Sequence, residues 1–358
     1  MKPLLPTRLS RISLRTCLWG IALAGAASLA SAQGPTPSLA RSYERVDPSL
    51  ARIANAMSDL RLEVVGERIV HDASGEWGFS ERVFFEGAPT RRFAPKLVEI
   101  LGGATLPPQE VAARARKYDN HASFLQQYSG FRISDPALAS SNYRYLQLFS
   151  GSYLNRTTVW AAVIPEVRDR SAWLLQLDSE TGYPLYQGEY NVQGRLATEY
   201  RVTTFRPGIE AQIPATVAWW QTTNYSLKDY AASEAAVAAL TTGATSNTKG
   251  PIVAMASDLP RGYELAISRV TTFLLNGEKT LVFDYSDGID HLFVSERITS
   301  NPEPPASAGH QILLYSDMSA TECKFECGGI EVLAIGRGNR EVVKDLAKAL
   351  YARAIARG

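Results

Sequence analysis

The residues able to do chemistry are few and scattered. Four histidines stand at His71, His121, His291 and His310, and none has a second histidine at a metal-ligand spacing. His71-Asp72 and Asp290-His291 are adjacent pairs in or beside turns, where polar residues belong, and the sequence reads them as exposed turn residues. Asp178 and Glu180 could in principle share acid and base work, but the intervening DSETG reads as a hairpin turn and makes them solvated turn residues. G-x-S-x-G, H-E-x-x-H, Walker and dinucleotide motifs are absent. Gly336-Arg337-Gly338-Asn339 precedes a helix but lacks a third glycine, so it reads as a strand-to-helix turn rather than a phosphate cradle. These observations point away from an enzyme and imply no cofactor and no metal.

Cys323 and Cys327 remain as a possible pair. An exported chain works in an oxidising compartment, where such a pair reads first as a disulfide, and two cysteines without nearby histidine are too few for zinc. In a straight strand their Cα atoms would lie about 13 Å apart, too far to bridge. The expected disulfide therefore requires a turn, for which Gly328-Gly329 offers the freedom.

Export is read from the first 32 residues. Lys2, Arg8, Arg11 and Arg15 form a basic start, Leu18 to Leu29 an apolar stretch too short to span a bilayer, and Ala30-Ser31-Ala32 a cleavage site before Gln33. This segment holds four of the 37 basic residues and none of the 36 acidic ones, so its removal leaves a net charge of −3. A weakly acidic, mixed surface has no electrostatic footprint for nucleic acid. The sequence thus predicts a periplasmic protein with the signal cleaved near Ala32/Gln33.

What remains is long enough for two domains. Residues 33–47 are a Pro/Ser-rich leader, and 48–60 has helical spacing. Period-two runs through residues 62–205, broken by a helix at 108–118, describe an antiparallel meander. Residues 48–216 form this first domain and 217–250 an Ala-rich helical segment with a linker. Residues 251–358 are a smaller α+β domain, with strands joined at Asn276-Gly277 and Asp287-Gly288 and a closing helix over 341–356. Aromatic residues crowd the first sheet. If its helices cover it loosely, the gap is an apolar cavity lined by Val83, Phe85, Tyr145, Val159, Ala161, Val163 and Leu175, chosen by alternation. If they cover it tightly, the same stripe is a packed core.

Several motifs occur in one order. Arg68-Ile69-Val70-His71 is followed by Glu81-Arg82-Val83 and by Gly87-Ala88-Pro89 before Arg91-Arg92. Leu177-Asp178-Ser179-Glu180-Thr181-Gly182-Tyr183-Pro184-Leu185 and Gly194-Arg195-Leu196 come next, then Leu259-Pro260-Arg261-Gly262-Tyr263. This order resembles the MucB/RseB family of periplasmic regulators of the envelope-stress sigma factor, over most of the chain. The resemblance implies a lipoprotein-carrier-like first domain, an open antiparallel half-barrel sheet wrapped on helices, plus the smaller α+β C-terminal domain. It also implies a function: negative regulation by binding the periplasmic domain of a membrane anti-sigma factor, with a lipid or lipopolysaccharide fragment as competing ligand. The alternative carried by the same half-barrel is a periplasmic lipid or lipoprotein carrier or chaperone. An unrecognised hydrolase is the third reading. Self-association is left open.

Overall fold

The computed structural model describes residues 46–72, 75–124, 130–221, 258–272, 279–298, 313–317, 320–327, 330–337 and 340–356. The segments expected as signal, leader, Ala-rich helix and linker lie outside the described residues, as does His310.

Helix α1 (Pro48–Asp59) starts where the sequence supplies a start signal. Asp47 accepts from the amides of Ser49 and Leu50, at 2.7 and 3.4 Å, and Pro48 occupies the first turn. The same Asp-Pro signal recurs at Asp135-Pro136 and starts α3 (Pro136–Asn142), where Asp135 caps Ala137 and Leu138 at 2.9 and 3.0 Å. A seven-residue helix is too short to register as periodicity, and the sequence reading missed it. Helix α2 (Pro108–Phe124) begins at the expected proline and runs beyond the expected end at 118.

The first sheet comprises β1 (Leu62–Asp72), β2 (Gly75–Glu86), β3 (Arg92–Ile100), β4 (Tyr143–Tyr153), β5 (Arg156–Pro165), β6 (Ala172–Asp178), β7 (Pro184–Tyr190), β8 (Leu196–Pro207) and β9 (Trp220–Gln221). Its order is β4-β5-β6-β7-β8-β1-β2-β3-β9, all antiparallel. The end strands β4 and β9 do not pair with each other, so the sheet is open. Its concave face is closed by α1, by the segment Gly130–Asp135 with α3, and by α2. Leu50, Ile53 and Ala54 of α1 meet Phe131, Ala161, Val163, Trp173 and Leu175 in one packed cluster. Tyr118 and Val111 of α2 meet Phe79 and Ile100 in another.

A polar belt crosses that apolar face. Arg68 of β1 and Glu81 of β2 pair at 3.2 Å, both almost fully buried, and Tyr118 donates to the second Glu81 oxygen at 2.8 Å. Arg68 also lies 4.8 Å from the centre of the Tyr200 ring. Arg68 and Glu81 belong to the two motifs that carry the resemblance, so those motifs tie the hairpin to α2 from inside. Burial and the Glu81 charge hold the Tyr118 hydroxyl far above its usual pKa, so it acts only as a donor.

The second sheet has the order β10-β11-β12-β15-β14-β13, with β10 (Glu264–Thr272), β11 (Lys279–Ser286), β12 (His291–Ile298), β13 (Leu313–Asp317), β14 (Ala320–Cys327) and β15 (Ile330–Arg337). Helix α4 (Arg340–Ala356) buries Val343, Leu346, Ala347 and Leu350 against one face of it. The fold is α+β, an open antiparallel sheet with helices on its inner side and a smaller sheet-and-helix unit.

One expectation is overturned. The Cys323–Cys327 disulfide is not formed, because β14 runs continuously from Ala320 to Cys327 and pairs along its length with β15. The turn that bridging required is not present between the two residues. Both side chains face α4, where Cys323 is fully buried and Cys327 half-buried. A native disulfide contributes about 2–4 kcal/mol. The melting temperature is therefore expected to be the same with and without dithiothreitol, as read by circular dichroism; a drop of several degrees on reduction would contradict the strand geometry.

Candidate functional site

The turn Asp287-Gly288-Ile289-Asp290, between β11 and β12, leaves the second unit and enters the first. Ile289 is buried within the α1–Phe131–Trp173 cluster, so a residue of the second domain completes the first domain's core. The turn is internally built: the Asp287 carboxylate accepts from the amides of Ile289 and Asp290 at 3.0 and 2.8 Å.

Around Ile289 lie the polar contacts that hold the joint. On one side Asp287 accepts from the Tyr143 hydroxyl at 2.8 Å and from Arg170 at 2.6 Å. Arg170 also donates to the Arg261 carbonyl and stacks over Tyr263, 5.0 Å from the ring centre. Asn142, the last residue of α3, sends its amide group toward the carbonyls of Gly262 and Asp287, at 3.1 and 3.0 Å. The Ser134 amide donates to the Gly288 carbonyl at 2.9 Å. On the other side Arg337 donates to Asp290 at 2.7 Å and to the Gly130 carbonyl at 3.2 Å, and lies 4.6 Å from the Trp173 ring. Glu189 faces Arg337 at 3.5 Å and accepts from Ser171 at 2.8 Å.

Two glycines permit this approach. Gly262 and Gly288 have φ of +88° and +99°, in the left-handed region. A Cβ on Gly288 would lie 2.3 Å from the Ala139 nitrogen, and one on Gly262 would lie 2.0 Å from Asn142 Oδ1. The joint thus buries three carboxylates, Glu189, Asp287 and Asp290, against two guanidinium groups, Arg170 and Arg337. Burial, with the Asp290 charge adding and Arg170 opposing, pushes the Asp287 carboxyl up to about 6. Burial also raises that of Glu189.

Alternation puts the seven expected lining residues on the concave face. Ala161, Val163 and Leu175 are fully buried in the same cluster as Ile289, with Tyr145 packed at its margin. Phe85 is half-buried between Phe93 and Tyr183, at ring distances of 6.4 and 6.5 Å. Val83 is fully buried on β2 and Val159 half-buried on β5. A shallow open hollow of about 450 Å³ lies along α1, with Arg52, Asn55, Asp59 and Thr181 in its wall, and contains none of the seven.

Two readings of polar residues are corrected. Asp178 is buried rather than solvated: it pairs with Arg156 at 2.7 Å and caps Thr181 at 2.9 Å, while Glu180 stays exposed. His291 is buried rather than exposed, 2.9 Å from Asp284, whereas His71 is partly exposed beside Glu76. Among the described residues, no three His, Cys, Asp or Glu side chains are grouped to hold a metal ion, and no helix is long and apolar enough to cross a membrane. The joint residues Asn142, Arg170, Asp287, Asp290 and Arg337 were missed as a set. The available signals were Gly288, read as a hairpin connection, and Gly262, read as part of the motif at 259–263.

The architecture is that of an open antiparallel sheet with helices on its inner side, followed by a smaller sheet-and-helix unit. No protein-family model matches the chain, and no curated protein does. Among solved structures it is similar to MucB in complex with MucA(peri), at 16% identity over 85% of this chain and 97% of that one, with a TM-score of 0.46. It is also similar to the MucA/MucB complex of Pseudomonas aeruginosa, at 16% identity over 84% and 95%, with a TM-score of 0.46. A putative outer membrane lipoprotein-sorting protein domain from Vibrio parahaemolyticus matches at 12% identity over 46% and 93%, with a TM-score of 0.23.

Two predictions follow from the joint. Gly288→Ala is expected to expel the turn and split a single calorimetric transition into two, since each unit keeps its own cluster; one unchanged transition would mean that the turn is not seated. The second concerns pH. The docked Asp287 binds its proton more tightly than an unfolded aspartate, whose pKa is about 3.9. Docking is thus strongest below about pH 4 and weakens as pH rises through about 6, by up to about 1.4 kcal/mol per unit. Asp287→Asn should flatten that part of the stability–pH curve.

Proposed function

We propose that this chain is a periplasmic regulator of envelope-stress signalling, not an enzyme. It binds the periplasmic domain of a membrane anti-sigma factor and is released from it by a lipid-like ligand. The partner class comes from the sequence resemblance. MucB has been solved with MucA, and the reading assigns this chain a partner of that kind.

The observation that carries the reading is the insertion of Ile289 into the concave face of the first sheet. A ligand that enters this face among Tyr145, Ala161, Val163 and Leu175 competes for the space that Ile289 fills. It must therefore alter how the second domain is held. A difference in ligand affinity between the docked and undocked forms is what couples an input to an output. A carrier has no need of such a joint, because its cargo site works within one domain. The motif residues Arg261, Gly262 and Tyr263 lie in this joint, which ties the resemblance to the coupling rather than to the sheet alone.

Native mass spectrometry on protein from the periplasm, with the periplasmic domain of an anti-sigma factor from the same organism and an added lipopolysaccharide fragment, tests this. The expected result is a complex with the anti-sigma domain that the fragment displaces, and that Ile289→Ala makes easier to displace. Stoichiometric lipid with no protein partner would move the function to a lipid or lipoprotein carrier. Neither partner nor lipid would defeat both.

A further inference from the structure

The first sheet ends at β4, and this edge, although bulged between Gln147 and Phe149, lacks three of the devices by which exposed edges are usually blunted. Short strands, lysines and prolines keep an edge from recruiting another chain. The opposite end of the sheet is such a case, terminating in the two-residue β9. Strand β4 instead spans 11 residues, YRYLQLFSGSY, with no proline and no lysine. Its one charge, Arg144, is held off the edge by Glu166, with a second contact at 3.0 Å. Among the described residues no strand pairs with its outer side. Alternate residues of such a strand direct their N–H and C=O groups outward as a row of unpaired donors and acceptors.

A side chain also marks this edge. Phe149 is 53% exposed. It is the outermost member of an aromatic row, 5.9 Å from Trp160, which in turn lies 5.5 Å from Tyr186. A strand laid beside β4 would extend this row by placing its own side chain opposite Phe149.

We propose that the outer edge of β4, from Arg144 to Ser152, is a docking site for an extended segment of another polypeptide. That segment adds to the sheet as a further antiparallel or parallel strand and sets an apolar side chain against Phe149. Only a backbone can satisfy a row of alternating backbone groups, which is why the occupant is a peptide. A second copy of this strand fits less well. The ladder between β4 and β5 is irregular between Gln147 and Phe149, and self-pairing about the strand's midpoint would bring both irregularities together at its centre. The site adjoins the domain joint, since Tyr143 of the same strand donates to Asp287, but it does not depend on the identity of the regulatory partner.

The test uses the whole mature protein and a nine-residue soluble peptide of alternating valine and charged residues with a central phenylalanine. Binding is read by fluorescence anisotropy, and the site by hydrogen exchange with mass spectrometry. The expected result is saturable binding that slows exchange in residues 144–152. Alternate N-methylation of the peptide, which removes its ladder donors, and Phe149→Lys should each weaken binding at least tenfold. Phe149 is half-exposed, so the variant is expected to keep its fold, and an unchanged melting temperature checks this. Slowed exchange elsewhere, or binding indifferent to N-methylation, would overturn the proposal. So would no peptide binding, with Phe149-dependent attachment to phosphatidylglycerol vesicles instead.

Discussion

One apolar side chain sets the relation between the two halves of this protein. Ile289 sits at the tip of a turn whose Asp287 carboxylate and Gly288 carbonyl are engaged within the turn and by the first domain. Its burial brings Asp287 and Asp290 into the same low-dielectric space, where each must find a cation. Arg170 reaches in from the first domain and Arg337 from the second, so the two ion pairs are anchored from opposite sides. The left-handed glycines then follow as a geometric necessity, because any side chain at 262 or 288 would occupy space held by α3.

Such a joint is built for specificity more than for strength. Desolvating five charged groups cancels much of the attraction between them, and a well-packed apolar replacement would hold as well or better. What the charges add is intolerance of misalignment: an ion pair shifted by an ångström leaves a buried charge unpaired. Two carboxylate oxygens sharpen this. Glu189 Oε2 and Asp290 Oδ2 accept no hydrogen bond from the described residues, and Arg337 stands near both acids. The two halves therefore have one seated arrangement and a strained approach to any other. That is the physical requirement for a two-state element, which the apolar clusters alone would not meet.

Much of the fold was legible in the sequence. Period-two alternation marked the strands from β4 to β8, and helical spacing over residues 48–60 marked α1. The failures have common causes. Helix α3 and strand β9 are too short to carry a period. Strand β14 was displaced by an argument from cysteine redox chemistry, although its alternation of Cys323, Phe325 and Cys327 on one face was present in the residues. Asp178 and His291 were taken for solvent-facing because turns usually are, yet each turn here is pressed against other structure. The joint itself was hidden for a deeper reason. Asn142, Arg170, Asp287 and Arg337 are ordinary polar residues far apart along the chain, and only the docking of two separately folded units makes them neighbours.

The shared core also has a consequence for the order in which the molecule is made. The apolar residues clustered with Ile289 all precede it, from Leu50 to Leu177. Synthesis at about 5–20 residues per second leaves an interval of roughly 5–20 s between the last of them and the turn. During that interval the first sheet has its helices but lacks its final wedge, and its inner face is open at that one position. The nascent chain is thus exposed to apolar compounds before its own second half can exclude them, and the native occupant arrives last.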